Sequence, residues 1–187
     1  LPEGDGGYVI PYGDHPLDGE PVGEWVYTHI LNQARDYVHI MTPYLILDSE
    51  LEAALRFAAR RGVEVTLILP HIPDKKVPFA LAKTHFLPLM EAGVRIYEYT
   101  PGFLHAKVFV SDGLRGTVGT VNLDYRSLYH HFECGAYLCG GPCAARLEKD
   151  FQETLAQSQL VTHQEAAHPG PLWRLLGMLA KVLAPLM

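Results

Sequence analysis

The 187-residue sequence has no excess of positive charge, since Lys and Arg total 15 against 21 Asp and Glu. Proteins that bind polyanions without sequence specificity need a clustered positive surface. A formal net charge of −6 does not provide one, so we expect no nucleic-acid partner. Nearly half of the residues (48%) are apolar, which is enough for one sizeable core in a chain of this length.

Cysteine is also scarce, and its spacing excludes the usual cysteine-based architectures. Cys134, Cys139 and Cys143 are an odd number and contain no Cys-x-x-Cys pair, which excludes a disulfide framework and indicates a reducing compartment. The ten histidines show no His-Glu-x-x-His spacing. We therefore predict no metal site.

The sequence contains no secretory signal pattern and no apolar run long enough to span a bilayer. It begins at Leu1 in a Gly-, Pro- and Asp-rich stretch. We expect residues 1–21 to be a linker from a missing upstream domain, with any membrane anchor further upstream. The alternative is a complete small protein whose ends have been trimmed.

What the sequence does contain is an alternation of strand and helix patterns. Apolar residues at helical spacing, separated by short apolar strands and ended by Gly or Pro, predict helices at residues 22–35, 50–61 and 79–92 and strands at 37–41, 63–69 and 94–99. This order predicts an α/β fold, a mixed or parallel sheet with helices on both faces. We predict a single domain over residues 22–160.

The end of the chain has a different pattern. Short strands are predicted at residues 105–111, 117–119 and 133–138, in the centre of the sheet, followed by a helix at 142–157. An extension over residues 161–187 ends in an apolar helix from Leu172 that is too short to cross a bilayer. It could lie on a lipid surface or pack on the domain's own core or on a partner domain, and the sequence favours neither.

Residues able to carry out chemistry cluster around His105. Because side chains alternate along a strand, His105 and Lys107 project from one face, and the intervening Ala106 points to the other. Asp112 follows, and then Gly119-Thr-Val-Asn122 adds a hydroxyl and an amide. The order His-x-Lys-x4-Asp, then x6-Gly-Thr-x-Asn, is far more specific than any of its parts.

This order resembles the signature of the phospholipase D superfamily, with Thr120 where Ser is commonest. Over roughly residues 8–160 the flanking segments look like the second catalytic domain of bacterial cardiolipin synthases. The segments concerned are Thr42-Pro-Tyr44, Arg61-Gly-Val63, Gly102-Phe-Leu-His105 and Asn122-Leu-Asp-Tyr-Arg-Ser127. His131 departs from the family, which usually has Asn just before Phe-Glu.

The resemblance implies roles for individual residues. In the family, two such motifs face each other; one histidine forms a phosphohistidine and the other protonates the departing alcohol. His105 would take one of these roles, and its place in the second half favours the general acid. Lys107, Asn122 and Thr120 would stabilise phosphate charge without a metal or other cofactor. Glu133 would accept a hydrogen bond from His105, while Asp112 would be structural.

The implied function is cardiolipin synthesis by phosphatidyl transfer between two phosphatidylglycerol molecules at a membrane surface. We expect the chain to be the second half of such an enzyme, inactive until it meets the first half, at the cell membrane and facing the cytoplasm. A hydrolytic phospholipase remains an alternative. So does a single-motif phosphodiesterase or nuclease that completes its site with a homodimer partner.

Overall fold

The computed structural model describes residues 6–186 and forms one open sheet of eight strands. The strands are β1 (Tyr8–Asp14), β2 (Tyr37–Met41), β3 (Glu64–Pro70), β4 (Arg95–Tyr99), β5 (Val108–Ser111), β6 (Arg115–Gly119), β7 (Glu133–Cys139) and β8 (Ser158–Leu160). Their order is β1-β7-β6-β5-β2-β3-β4-β8. Strands β2, β3 and β4 are parallel and the other pairings are antiparallel, which confirms the predicted mixed sheet.

Helices cover both faces of the sheet, as predicted. They are α1 (Val22–Gln33), α2 (Ser49–Arg60), α3 (Lys76–Glu91), α4 (Gly141–Leu155), α5 (His163–Ala167) and α6 (Pro171–Leu183). The main core lies between the sheet and α1, α2, α3 and α5, and a smaller core lies under α4 on the opposite face. The short β8 and α5 are elements that the sequence analysis did not predict.

Strand β3 is covered by a hydrophobic core on each face of the sheet, which explains its predicted run of apolar residues. Val65 and Leu67 point into the main core, whereas Ile68 packs with Met41 and Phe151 in the smaller one. A strand covered on both faces needs apolar residues at successive positions. The continuous run in the sequence therefore places β3 in the interior of the sheet.

Helix α2 begins where an aspartate satisfies its free backbone donors. Asp48 Oδ1 accepts a hydrogen bond from the Leu51 N–H at 2.8 Å, so Asp48 is the N-cap of this helix. The helix ends before Gly62, whose φ of +98° favours glycine.

The assignment of residues 1–21 as a linker is corrected for residues 8–14. These residues form β1, which pairs antiparallel with β7 so that Asp14 lies opposite Glu133. Pro11 and Gly13 concealed the strand pattern. Proline is tolerated because β1 is an edge strand with β7 as its one neighbour. Residues 1–5 lie outside the described part of the chain.

The C-terminal segment packs on the domain. Val161 and Ala166 enter the main core, and α6 lies against α3. The approach is close because α6 presents Gly177, where a Cβ would come within 2.6 Å of the Ala80 oxygen. Within residues 6–186, no helix combines the length and the apolar content needed to cross a bilayer.

Candidate active site

The candidate residues meet at one edge of the sheet. Met41 at the end of β2 pairs with Val108 at the start of β5, and Gly119 at the end of β6 pairs with Gly135 near the start of β7. Segments that leave or enter these strand ends therefore lie side by side. His105, Lys107, Thr120, Asn122 and Glu133 all belong to such segments.

His105 and Lys107 lie on the same side of an extended segment, as predicted, although regular pairing of β5 starts only at Val108. The Lys107 Nζ is 3.1 Å from His105 Nδ1 and donates to the His105 carbonyl oxygen at 2.7 Å. Leu104 and Ala106 point the other way and pack on the smaller core. This anchoring turns both functional side chains outward.

The electrostatics of this pair favour a neutral imidazole. The pKa of His105 is lowered, first by burial and then by the positive charge of Lys107, with an opposing effect from Asp74. Burial also lowers the pKa of Lys107, while Glu133 and Asp124 act to raise it. The site thus favours an uncharged ring beside an ammonium group that two carboxylates help to keep charged.

Glu133 does not occupy the role that the resemblance implied. Its carboxylate accepts a hydrogen bond from the Thr120 hydroxyl, and no hydrogen bond joins it to His105 within the described structure. The Glu133 Oε1 also lies 3.9 Å from His131 Nδ1. The expected hydrogen bond from His105 to Glu133 is therefore absent from the described structure. Glu133 lies against Thr120 and His131. His105 instead contacts Lys107, and its ring centroid is 5.5 Å from that of Phe103.

Thr120 is fixed to the start of β7 by its backbone and its side chain. Its N–H donates to the Cys134 oxygen at 2.9 Å, and its hydroxyl accepts from the Cys134 N–H at 3.0 Å. The preceding Gly119 has no room for a side chain, because a Cβ there would meet the backbone of Cys134 and Gly135. This close approach explains the glycine of the motif.

Asn122 is held by a turn that begins with buried polar residues. Its Nδ2 donates to Ser127 Oγ at 2.9 Å, and its Oδ1 is buried without a hydrogen-bond partner in the described chain. Asp124 caps the same turn by accepting from the Ser127 N–H at 2.7 Å. Burial raises the pKa of Asp124, and the nearby Glu133 adds to that shift, while hydrogen bonds from Ser127 oppose it.

Asp112 follows the end of β5, at the opposite end of the strands from His105. The prediction of a structural role agrees with this position. Its carboxylate accepts from the backbone N–H groups of Arg35, Asp36 and Tyr37 at 2.9, 3.0 and 2.9 Å. Burial alone would raise its pKa, but these donors lower it overall. Asp112 thus links β5 to the start of β2 and takes no part in the cavity.

A cavity of about 600 Å³ opens beside His105 and joins the separate segments. Its lining includes Asn122 and also Asp124, Arg126, Ser127 and His131, which sequence reasoning did not assign to the site. The sequence signal was present in the Asn122–Ser127 run, but nothing in it indicated which side chains turn inward. Lys75 and Lys76 from the start of α3 form part of the rim.

Comparisons with known proteins show the family of this chain. The sequence model of the family described as cardiolipin synthase, phospholipase D-like domain, matches residues 27–155. The chain belongs to this family. A cardiolipin synthase of Geobacillus kaustophilus is 33% identical over 99% of the chain and 37% of its own length. An uncharacterized protein of Streptococcus mutans is 61% identical over 97% of the chain and 39% of its own length.

The phospholipase D-like chain thus spans well under half the length of these relatives. Among solved structures, the phosphatidylserine synthase of Haemophilus influenzae has a TM-score of 0.79 at 16% identity, covering 100% of this chain and 49% of that one. The phospholipase D family member Nuc of Salmonella typhimurium has a TM-score of 0.69 at 16% identity, covering 83% and 99%. At these identities the two structures confirm the fold alone.

Outside the cavity, the phospholipase D-like domain has one group of carboxylates close enough to share a cation among its described residues: Glu24, Asp48 and Glu50, within 4.8 Å of one another. The Tyr129 hydroxyl already lies within hydrogen-bond distance of both Glu24 and Asp48. Burial raises the pKa of Glu24, and the neighbouring carboxylates add to it. These groups brace α1 against α2 and the Arg126–His130 turn.

Proposed function

We propose that this chain is one half of a cardiolipin synthase and supplies one histidine motif to a site that transfers a phosphatidyl group. The observation that supports it is the cavity that His105 and Asn122 line together, with the Lys107 ammonium 3.1 Å from His105 Nδ1. The likeness to half the length of a phosphatidylserine synthase chain is consistent with a two-part enzyme. The first half of the same enzyme is the proposed partner.

The proposed reaction proceeds in two displacements. An imidazole nitrogen attacks the phosphorus of one phosphatidylglycerol, and the bond to the glycerol oxygen breaks while the second histidine protonates that oxygen. A hydroxyl of a second phosphatidylglycerol then attacks the phosphorus and gives its proton to the second histidine. The nitrogen–phosphorus bond breaks, releasing cardiolipin and free histidine.

Charge on the phosphate oxygens would be stabilised by fixed donors. The Lys107 ammonium is already held by the His105 carbonyl, so little reorganisation is needed when an anion arrives. Asn122 lines the cavity together with His105 and is fixed by Ser127. This places a positive charge and an amide beside the reacting group.

The lowered pKa of His105 favours the nucleophile role over the general-acid role that chain position suggested. A nucleophile must be neutral near pH 7, whereas a general acid must carry its proton there. Trapping decides between the two roles. A phosphohistidine at His105 identifies the nucleophile, and one on the partner half identifies His105 as the acid.

The experiment uses the 187-residue chain, the rest of the Streptococcus mutans relative as the other half, and labelled phosphatidylglycerol vesicles. We expect cardiolipin only when both halves are present and none with His105→Ala. The matched control is His163→Ala, an exposed histidine at the start of α5. Cardiolipin formation by the full-length relative after its histidine aligned with His105 is replaced would refute the proposal.

A second candidate is a phosphodiesterase or nuclease completed by a homodimer partner. The observation that favours it is that this chain matches 99% of the Nuc chain, so the two chains are of similar length. The net charge of −6 argues against a nucleic-acid substrate. A two-fold dimer that cleaves nucleic acid and loses this activity with His105→Ala would establish it.

A further inference from the structure

Helix α6 has two faces with opposite environments. Gly177 and Ala180 are buried against α3, and Trp173 packs edge-on against Phe79. The face turned away from α3 is apolar and exposed, consisting of Leu172, Leu175, Met178, Leu179, Val182 and Leu183. Leu186, in the 3-10 turn Ala184–Leu186 that follows, is exposed as well. The helix is thus fixed to the domain by small residues and presents its large ones outward.

This outer face is contiguous. At 3.6 residues per turn, the positions of Leu175, Met178, Leu179 and Val182 follow each other along one stripe. Val182 is 81% exposed and Leu172 is 73% exposed. Single exposed leucines are ordinary, but a continuous apolar stripe marks an interaction surface.

The charged residues of the helix itself are positive, although the chain as a whole is negative. Arg174 and Lys181, seven positions apart, lie on one flank of the helix, and residues 171–186 contain no Asp or Glu. Long basic side chains beside an apolar face are the pattern of helices that lie in the surface of an anionic bilayer. The local charge complements such a surface.

The stripe leads directly to the candidate active site. Leu186 lines the same cavity as His105, together with the basic side chains of Lys75, Lys76 and Arg126. The His130 Nε2–H donates to the Pro185 carbonyl at 2.9 Å, which fixes the end of the helix next to the cavity mouth. A surface that contacts α6 therefore also borders the opening beside His105.

We propose that α6 docks flat on an anionic lipid bilayer and turns the cavity mouth toward the lipid headgroups. This deepens the proposed function by naming the surface on which the site works, and in that respect rests on it. Leucine side chains would enter the acyl boundary while Arg174 and Lys181 stay at the headgroups.

The experiment is flotation of the 187-residue chain with vesicles of phosphatidylcholine, with and without an equal amount of phosphatidylglycerol. We expect binding to phosphatidylglycerol vesicles that weakens in high salt. Leu175→Glu and Val182→Glu should each weaken binding about tenfold, because each removes roughly one leucine-sized apolar contact. Phe57→Glu, an exposed apolar position on α2, is the matched control and should bind like the parent chain.

His105→Ala should float like the parent chain, because the substitution lies outside α6. Turnover of the combined halves and vesicle binding are therefore separate measurements, so failure of the proposed function can be distinguished from failure of the lipid-docking proposal. Circular dichroism checks that each variant is folded. Flotation unchanged by both α6 substitutions overturns the proposal. So does a dimer in light scattering without lipid that Val182→Glu dissociates, or protection of α6 from hydrogen exchange by the other half of the relative without vesicles.

Discussion

Lys107 holds its ammonium nitrogen 3.1 Å from His105 Nδ1 and 2.7 Å from the carbonyl oxygen of the same residue. Through this contact the charge of Lys107 lowers the pKa of His105, because it opposes protonation of the ring. A site that starts with a neutral imidazole and a fixed positive charge suits attack on a phosphodiester near pH 7.

Lys107→Met should raise the pKa of His105. Burial, the largest cause of the lowered pKa, remains, but the repulsion from the ammonium disappears. The imidazolium should therefore persist to higher pH than in the parent chain, as seen in an NMR titration of the His105 ring protons. Lys149→Met, an exposed lysine on α4, is the control and should leave that titration in place. A downward shift with Lys107→Met would contradict the assignment.

Asp112→Asn should destabilise the fold by about 2 kcal/mol in urea unfolding, because a charged acceptor for three backbone N–H groups becomes neutral. Asparagine tolerates the φ of +55° at this position, so backbone strain is not added. Asp150→Asn on the exposed side of α4 serves as the control and should change the stability little. Stability equal to that of the parent chain would remove the structural role of Asp112.

The pH dependence of that stability has a defined sign. The pKa of Asp112 is lower in the folded chain, so its contribution is complete above the ordinary aspartate pKa of about 3.9 and is lost as pH falls through the folded value. Asp112→Asn should flatten this acidic part of the stability profile. The same slope in the variant and in the parent chain would assign it to other carboxyl groups.

Gly119→Ala should separate β6 from β7 at the site. The new Cβ would come within 2.6 Å of the Gly135 Cα, so the backbones must move and the Thr120 N–H to Cys134 bond must lengthen. We expect a loss of about 1–3 kcal/mol of stability, as for other overpacked positions, and at least tenfold lower turnover. Gly102→Ala is the control, since its Cβ would meet nothing within 4 Å.

Thr120→Ser should retain activity, whereas Thr120→Val should lose most of it. The serine hydroxyl can still donate to Glu133 and accept from the Cys134 N–H, but valine can do neither. Unpaired groups at this partly exposed position should cost about 1 kcal/mol. Turnover with the two halves combined and urea unfolding of each variant are the measurements. Equal activity of the two variants would show that the hydroxyl is dispensable.

Local patterns predicted much of the fold and part of the site. Apolar runs predicted strands β2 to β4, and a glycine correctly predicted the end of α2. The two-residue spacing of His105 and Lys107 correctly predicted that these two side chains lie together. These features depend on neighbours in the chain, so a single sequence contains the information.

Other features depend on pairings between distant parts of the chain. Strand β1 forms because residues 8–14 pair with β7, and the Pro and Gly content of this segment does not predict such a pairing. Glu133 is hydrogen-bonded to Thr120 because β6 and β7 are neighbouring strands. The spacing of residues along the chain does not specify which side chain a carboxylate contacts.

By itself, then, the sequence determined the α/β class, the motif residues and the apolar character of the α6 segment, since each follows from local periodicity and residue type. Only the tertiary structure decided that Asp112 lies at the far edge, that Asp124 and His131 join the cavity, and that α6 buries its small residues and exposes its large ones. The reason is that strand order and helix docking are fixed by packing between segments far apart in the chain.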